Sequence, residues 1–428
     1  MKKKLLILLI LSFTAVNFTV FAQEETNSKL SIQLVPHNEG MFPDRLLQIH
    51  AQIENEISEN IDLKIHWVIT DDEGTPLKSL QFPYKVKGDS LLSAYCPIYR
   101  FKKDGFFRVT ATFTYLGEKH ELYTVVGTHP ENISSPLRKP KDFDKFWEDN
   151  LKELAAVAPH YKLKKVKRDK STKTNLFEVE MQSTDGITVR GWLEVPKKKG
   201  VYPTILEVPG YTVSLEPQDK YDDMIVFSFN VRDHGNSDNT GPRHYKMWNR
   251  GLEDQNKFYY KGIYLDCIRA MDFLMTRNDV DKSRIAIAGA SQGGGLAMIT
   301  TALDSRISFC VAGIPFLTDW ERYFTISHWE EIDEFLAAHP SKNWNDVLDV
   351  LSYFDSKNLM HKIKVPVSMS IGLQDDVCPP ATSFSAYNRI TSTKNYFIDQ
   401  TQGHWITDEK WDSQFEEIRA YFKMNKVK

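Results

Sequence analysis

Cysteine is scarce. Cys96, Cys267, Cys310 and Cys378 are the only four among 428 residues, and they stand far apart. No Cys/His spacing suits zinc, so a structural metal site is not what organises this chain. The apolar settings of Cys267 and Cys310 predict buried free thiols rather than disulfides. Excess charge is lacking too: a formal net charge of −3 leaves no basic footprint for nucleic acid or anionic lipid. Beyond the N-terminal leader no apolar run approaches membrane-spanning length.

The leader itself is informative. Lys2-Lys3-Lys4, the apolar run Leu5 to Phe13, and Val20-Phe21-Ala22 predict a signal peptide over 1–22, cut after Ala22. The protein is therefore expected to be exported, to the periplasm or beyond. Polar Ser12, Thr14, Asn17 and Thr19 break the run, which argues against a membrane anchor. No cysteine follows the cut, so no lipid anchor is expected. Losing three lysines and no acid takes the net charge from −3 to −6.

The length predicts two or three domains. From 23 to 128 the pattern is strand after strand: Leu30-Ile32-Leu34, Leu47-Ile49, Ile61-Leu63-Ile65-Trp67, Phe106-Val109-Ala111-Phe113 and Leu122-Thr124-Val126. Turn signals at Asp71 to Gly74, Lys87-Gly88-Asp89 and Leu116-Gly117-Glu118 divide them. Roughly seven strands in this length predict an immunoglobulin-like β-sandwich. It carries no catalytic constellation and reads as a packing or spacing module, with carbohydrate binding as the alternative. Residues 129–140, with Pro130, Pro136 and Pro140, read as a linker.

From 141 to 428 the pattern changes. Asp142 is placed to cap a helix bearing Phe143, Phe146, Trp147 and Leu151 on one face. Phe177 to Val195 predicts a hairpin across Ser183-Thr184-Asp185-Gly186. Six apolar runs follow, alternating with helical patterns. Two hairpin strands and these six predict an eight-stranded, mostly parallel sheet with helices on both faces, the α/β-hydrolase count. The aromatic-rich stretch from Pro315 to Asp355 is expected to be helical, either roofing a pocket or filling core.

The chemistry centres on Gly289-Ala290-Ser291-Gln292-Gly293, between the apolar run at Ile285 and the helical pattern after Leu296. In a strand–turn–helix setting this reads as a nucleophile elbow. Small residues two places either side let the helix pass close to the strand and push the hydroxyl into the open. A serine needs a base, and the base a carboxylate. On this fold the order is serine, acid, histidine. His404 stands in a loop after the last strand, whereas His328, His339 and His361 fall in helical or pre-strand stretches. The acid should end the preceding strand, where Asp375 and Asp376 are both available. The N–H groups of Gln292 and of Tyr211, after Val208-Pro209-Gly210, are the candidate oxyanion donors.

From about Pro136 to Phe422 the chain resembles the acetylxylan esterase / cephalosporin-C deacetylase family, carbohydrate esterase family seven. The stretches that carry the likeness include Lys141 to Trp147, Tyr259 to Asp266, Gly289 to Gly294 and Pro315 to Asp319. Gly372 through Pro380 and Phe384 to Asn388 complete it. The resemblance implies Ser291 as nucleophile, His404 as base and Asp375 rather than Asp376 as acid. It further implies Tyr211 and Gln292 N–H groups as the oxyanion hole, no metal or organic cofactor, an acetylated carbohydrate substrate, and homo-oligomers in many members. Two departures stand out. The family's Arg-Gly-Gln motif is Arg232-Asp233-His234-Gly235 here, and its His-Glu is His404-Trp405. The Trp405 indole is placed either to stack on a sugar face or simply to pack. Two other readings compete with a carbohydrate acetyl esterase. One is a serine peptidase of the prolyl-oligopeptidase kind, the other a sugar-binding protein with an inactive hydrolase half.

Overall fold

The computed structural model describes residues 23–26, 30–238 and 247–424. The expected leader, 1–22, lies outside the described residues. No helix among the described residues is long and apolar enough to cross a membrane.

The N-terminal strands are β1 (Gln23–Thr26), β2 (Leu30–Pro36), β3 (Leu46–Leu47), β4 (Ile49–Asn55) and β5 (Ile61–Asp71). They continue as β6 (Pro76–Val86), β7 (Ser90–Tyr95), β8 (Tyr99–Arg100), β9 (Gly105–Tyr115) and β10 (Glu118–Thr128). Two four-stranded sheets, β1-β2-β4-β7 and β10-β9-β5-β6, and the small β3-β8 pair result. Setting β1 and that pair aside, the first, second and fifth strands share one sheet and the rest the other, an immunoglobulin-like division. Period-two alternation sends Ile32, Leu34, Ile65, Trp67, Val109 and Ala111 into a common core. The β9–β10 hairpin turns on Leu116 and Gly117, with φ of 50° and 85°, suited to a two-residue primed turn.

The C-terminal sheet contains β11 (Lys162–Val166), β12 (Thr174–Gln182), β13 (Thr188–Pro196), β14 (Tyr202–Val208) and β15 (Ile225–Asn230). Its remaining strands are β16 (Val280–Ala290), β17 (Phe309–Gly313), β18 (Val367–Gly372) and β19 (Lys394–Asp399). The order is β11-β12-β13-β15-β14-β16-β17-β18-β19, parallel from β15 onward. The helices are α1 (Phe143–Ala156), α2 (Tyr259–Thr276), α3 (Gln292–Leu303) and α4 (Trp320–Ile326). After them come α5 (Glu330–Ala338), α6 (Trp344–Ser352), α7 (Pro380–Tyr387) and α8 (Asp408–Tyr421). Alternate strand residues face opposite layers. Leu206, Ile285 and Ile287 pack with α2 and α3, while Ile205, Ala286 and Ala288 pack with Phe415 and Ile418 of α8.

Three expectations are corrected. The sheet has nine strands, not eight. The extra one, β11, is an edge strand of sequence Lys-Leu-Lys-Lys-Val with four exposed residues, so it has no apolar alternation to read. Asp142 stands at the N-cap of α1 but makes no cap bond; its carboxylate accepts from the Tyr353 hydroxyl instead. The 129–140 segment is a strap rather than a free linker. Its carbonyls at Pro130, Ile133 and Pro136 accept hydrogen bonds from Asn388 and Lys357, and Arg138 pairs with Glu321 and Asp349. Side chains from the hydrolase layer satisfy a proline-rich backbone that cannot enter a ladder.

Candidate active site

Ser291 links β16 to α3 with φ 59° and ψ −121°, a conformation that costs energy for any residue but glycine. The glycines around it are there for space. A Cβ on Gly289 would meet the Gly293 carbonyl oxygen at 2.4 Å, and one on Gly293 would meet the Val208 oxygen at 2.4 Å. Strand and helix backbones therefore touch, and the serine side chain projects away from both.

The loop after β19 carries His404 to this hydroxyl. His404 Nε2 lies 2.9 Å from Ser291 Oγ, and Nδ1 lies 2.9 Å from Asp375 Oδ2. The other Asp375 oxygen accepts the N–H groups of Val377 at 3.0 Å and Cys378 at 2.7 Å. Asp376 is exposed. Spacing left both aspartates open; the turn after β18 aims Asp375 inward and Asp376 at solvent. A carboxylate so held fixes the tautomer of the ring, leaving Nε2 free to accept a proton from the serine.

Electrostatics follow from burial. Asp375 is fully enclosed, which raises its pKa, and His404 with two backbone N–H groups only partly offsets the rise. Burial alone would lower the His404 pKa, but the Asp375 carboxylate, helped by Asp376, turns the net shift upward from 6.5. Cys378 lies close by, with Asp375, Cys378 and His404 donor atoms within 4.8 Å of one another. Burial and the Asp375 charge push its thiol well above the ordinary value. It stays protonated and is no rival to Ser291 as nucleophile.

The candidate oxyanion donors are the N–H groups of Tyr211, in the loop after β14, and of Gln292, at the start of α3. No described group accepts a hydrogen bond from the N–H of Tyr211 or of Gln292. A network behind them sets the backbone. His234 Nδ1 faces the Arg232 carbonyl at 3.0 Å, so its proton sits there. Nε2 then accepts the Thr212 N–H at 3.3 Å and the Gln292 side-chain amide at 3.2 Å. The Tyr260 hydroxyl donates to Gln292 Oε1 at 2.8 Å. Arg232 is anchored by the buried Asp266 at 2.8 Å, and Gly262 leaves room for its guanidinium. The Tyr259 to Asp266 stretch thus supports the loop facing the serine. The Asp233-His234 departure from the family motif gains its structural sense here. His234 braces the Tyr211–Thr212 loop against Gln292, and Asp233 pairs with Arg250 at 2.9 Å.

The 315–355 stretch is helical, and its aromatics divide. Trp320 and Tyr323 are core. Trp329 reaches Tyr211 edge-on, with centroids 5.9 Å apart, and stacks on Phe316 at 5.7 Å. Phe316 in turn donates its N–H to the Ser291 carbonyl. An aromatic wall therefore stands beside the serine. Trp405, next to the base, is 57 % exposed, too open to be a core side chain.

The comparisons agree with this geometry. Residues 132–424 match the family model for acetyl xylan esterase, AXE1. Acetyl esterase Axe7A of Xylanibacter ruminicola is 28% identical over 329 residues, covering 72% of this chain and 72% of that protein. The solved acetyl xylan esterase from Paenibacillus sp. R4 is 30% identical, covering 68% of this chain and 98% of its own, with a TM-score of 0.63. Acetyl xylan esterase 1 from Thermoanaerobacterium sp. JW/SL YS485 is 27% identical, with the same 68% and 98% coverage and a TM-score of 0.63. An α/β-hydrolase sheet, a strained serine elbow and a family match across most of the chain lead to one conclusion: the protein belongs to the acetyl xylan esterase family and is a serine carboxylic-ester hydrolase.

Proposed function

We propose that this enzyme is an exported carbohydrate acetyl esterase that removes O-acetyl groups from acetylated xylo-oligosaccharides or related sugars. The observation that carries the reading is the unbroken Asp375–His404–Ser291 hydrogen-bond chain at the elbow. His404 Nε2 takes the Ser291 proton as Oγ attacks the acetyl carbonyl carbon. The oxyanion that forms is held by the Tyr211 and Gln292 N–H groups. The imidazolium returns its proton to the departing sugar oxygen, leaving acetyl-Ser291 and a free alcohol. Water, deprotonated by the same imidazole, then attacks the acetyl carbonyl carbon; the bond to Ser291 Oγ breaks, the imidazolium returns its proton to Oγ, and acetate leaves. Each step balances with no added reductant, oxidant or metal. Exposed Trp405 offers a face for a sugar ring.

The two competing readings fare worse. A β-sandwich is not the propeller of a prolyl-oligopeptidase-type enzyme, and a sugar-binding protein would have no use for an assembled triad. Mass spectrometry of acetate release from acetylated xylo-oligosaccharides, other acetylated glycans and cephalosporin C tests the proposal. Release from the xylo-oligosaccharides supports it, whereas cleavage of proline-containing peptides with no esterase preference sinks it. The aromatic wall yields a further expectation. Trp329→Ala should raise kcat/KM for p-nitrophenyl butyrate relative to acetate by about tenfold, the scale of one or two methylenes in a pocket. An unchanged ratio would remove Trp329 from the acyl side.

A further inference from the structure

We propose that Gln374 ties the acid and base loops of the triad to the N-terminal sandwich, making that domain part of the apparatus that positions His404. This rests on the catalytic roles proposed above for Asp375 and His404.

Strand β10 lies at the edge of its sheet. Edge strands leave every second N–H and C=O unpaired on their outer side. At Val125 both outward groups are taken by one side chain. Gln374 Oε1 accepts the Val125 N–H at 2.8 Å, and Gln374 Nε2 donates to the Val125 carbonyl at 3.1 Å. The amide thus imitates one rung of a neighbouring strand. The same Nε2 also donates to the Gln400 carbonyl at 3.0 Å, and the Gln374 backbone N–H donates to the Gln402 carbonyl at 2.9 Å. Gln374 immediately precedes Asp375, and Gln400 and Gln402 lie in the loop between β19 and α8 that carries His404. One residue therefore joins the sandwich, the acid loop and the base loop.

The surroundings leave little slack. A Cβ on Gly372 would meet the Gly403 carbonyl oxygen at 2.1 Å, so the two loops pack backbone on backbone. Glu39 of the sandwich accepts from the Gln400 amide at 3.0 Å. Farther along the seam, Asp72 pairs with Arg322 at 2.7 Å and Phe106 meets Phe384 with centroids 5.8 Å apart. Among the described residues, no hydrogen bond joins the Gln374 side chain to Ser291 or to the His404 ring; its partners are Thr124, Val125 and Gln400. Gln374 acts through Asp375 and His404, by holding two loops whose small displacement would lengthen the bond between them.

Three variants of the full chain test this. Gln374→Ala and Gln374→Met remove the amide, the second at nearly constant volume. Val125→Pro removes the sandwich N–H with Gln374 intact, at an edge position where proline is tolerated. Each should lower kcat about 10- to 100-fold, the scale of a misplaced catalytic group, with KM within about twofold. The acid limb of the kcat/KM profile should move to lower pH, because His404 loses an aligned Asp375 while Asp376 and Cys378 are unaltered. Arg322→Ala, which cuts the seam away from the triad, should leave both the rate and the limb in place. Folded variants with wild-type kcat and acid limb overturn the proposal. So does a loss of rate with no movement of the limb, or an equal loss in Arg322→Ala. Severe damage from Asp375→Asn alongside silent Gln374 and Val125 variants would reject the tie alone; a mild Asp375→Asn would reject the underlying roles.

Discussion

Ser291→Ala is expected to lower acetate release by about 10⁶-fold, leaving only the residual catalysis of binding and the oxyanion donors. The elbow makes this substitution unusually clean. Alanine keeps a Cβ in the same strained turn, φ 59° and ψ −121°, so fold and helix start are preserved while the nucleophile is lost. No neighbour can take over. The Cys378 thiol is held protonated by burial and by Asp375. Stopped assays with p-nitrophenyl acetate read the result. Retention of more than a trace of turnover, in protein with an unchanged melting profile, would remove Ser291 from the nucleophile's role.

The second large effect separates two adjacent carboxylates. Asp375→Asn should cost about 10⁴ in turnover, because an amide in place of the buried oxygen facing Nδ1 favours the wrong ring tautomer. Asp376→Asn should cost little, since that residue is exposed and acts on His404 only through its charge. The pH profile carries the same information. His404 must be neutral to act as base, and its pKa is raised above 6.5. Activity should therefore fall as pH drops through a value above 6.5. Asp375→Asn removes the charge that favours the imidazolium, so the acid limb should shift to lower pH. A damaging Asp376→Asn with a mild Asp375→Asn would reverse the assignment.

Much of this molecule was legible because local patterns and global fold agree. The parallel strands are apolar runs buried on both faces, as at Ile285 to Ala288. The elbow announces itself through glycines that only close backbone packing requires. What escaped lacked a periodic signal. Strand β11 is mostly lysine, with no apolar alternation, and lies at an exposed edge. Spacing alone does not choose between Asp375 and Asp376, because that depends on which way a turn points; the family resemblance points to Asp375, the residue that meets His404. The His234 and Gln374 networks join residues distant in sequence, through side-chain amides and imidazoles that follow no spacing rule. Gln374 in particular meets a strand about two hundred and fifty positions earlier, a contact only the docked sandwich creates. The 129–140 strap has the composition of a linker, and the cations that hold it, Lys357 and Arg389, come from segments more than two hundred positions later in the chain.

The most direct measurement is covalent labelling with a serine-directed phosphonate, followed by peptide mapping and assay of residual acetate release. The account predicts a single adduct on Ser291, activity lost in proportion to labelling, and no labelling in a His404→Ala variant. An adduct on another residue, or full acetate release from protein completely labelled at Ser291, would contradict it.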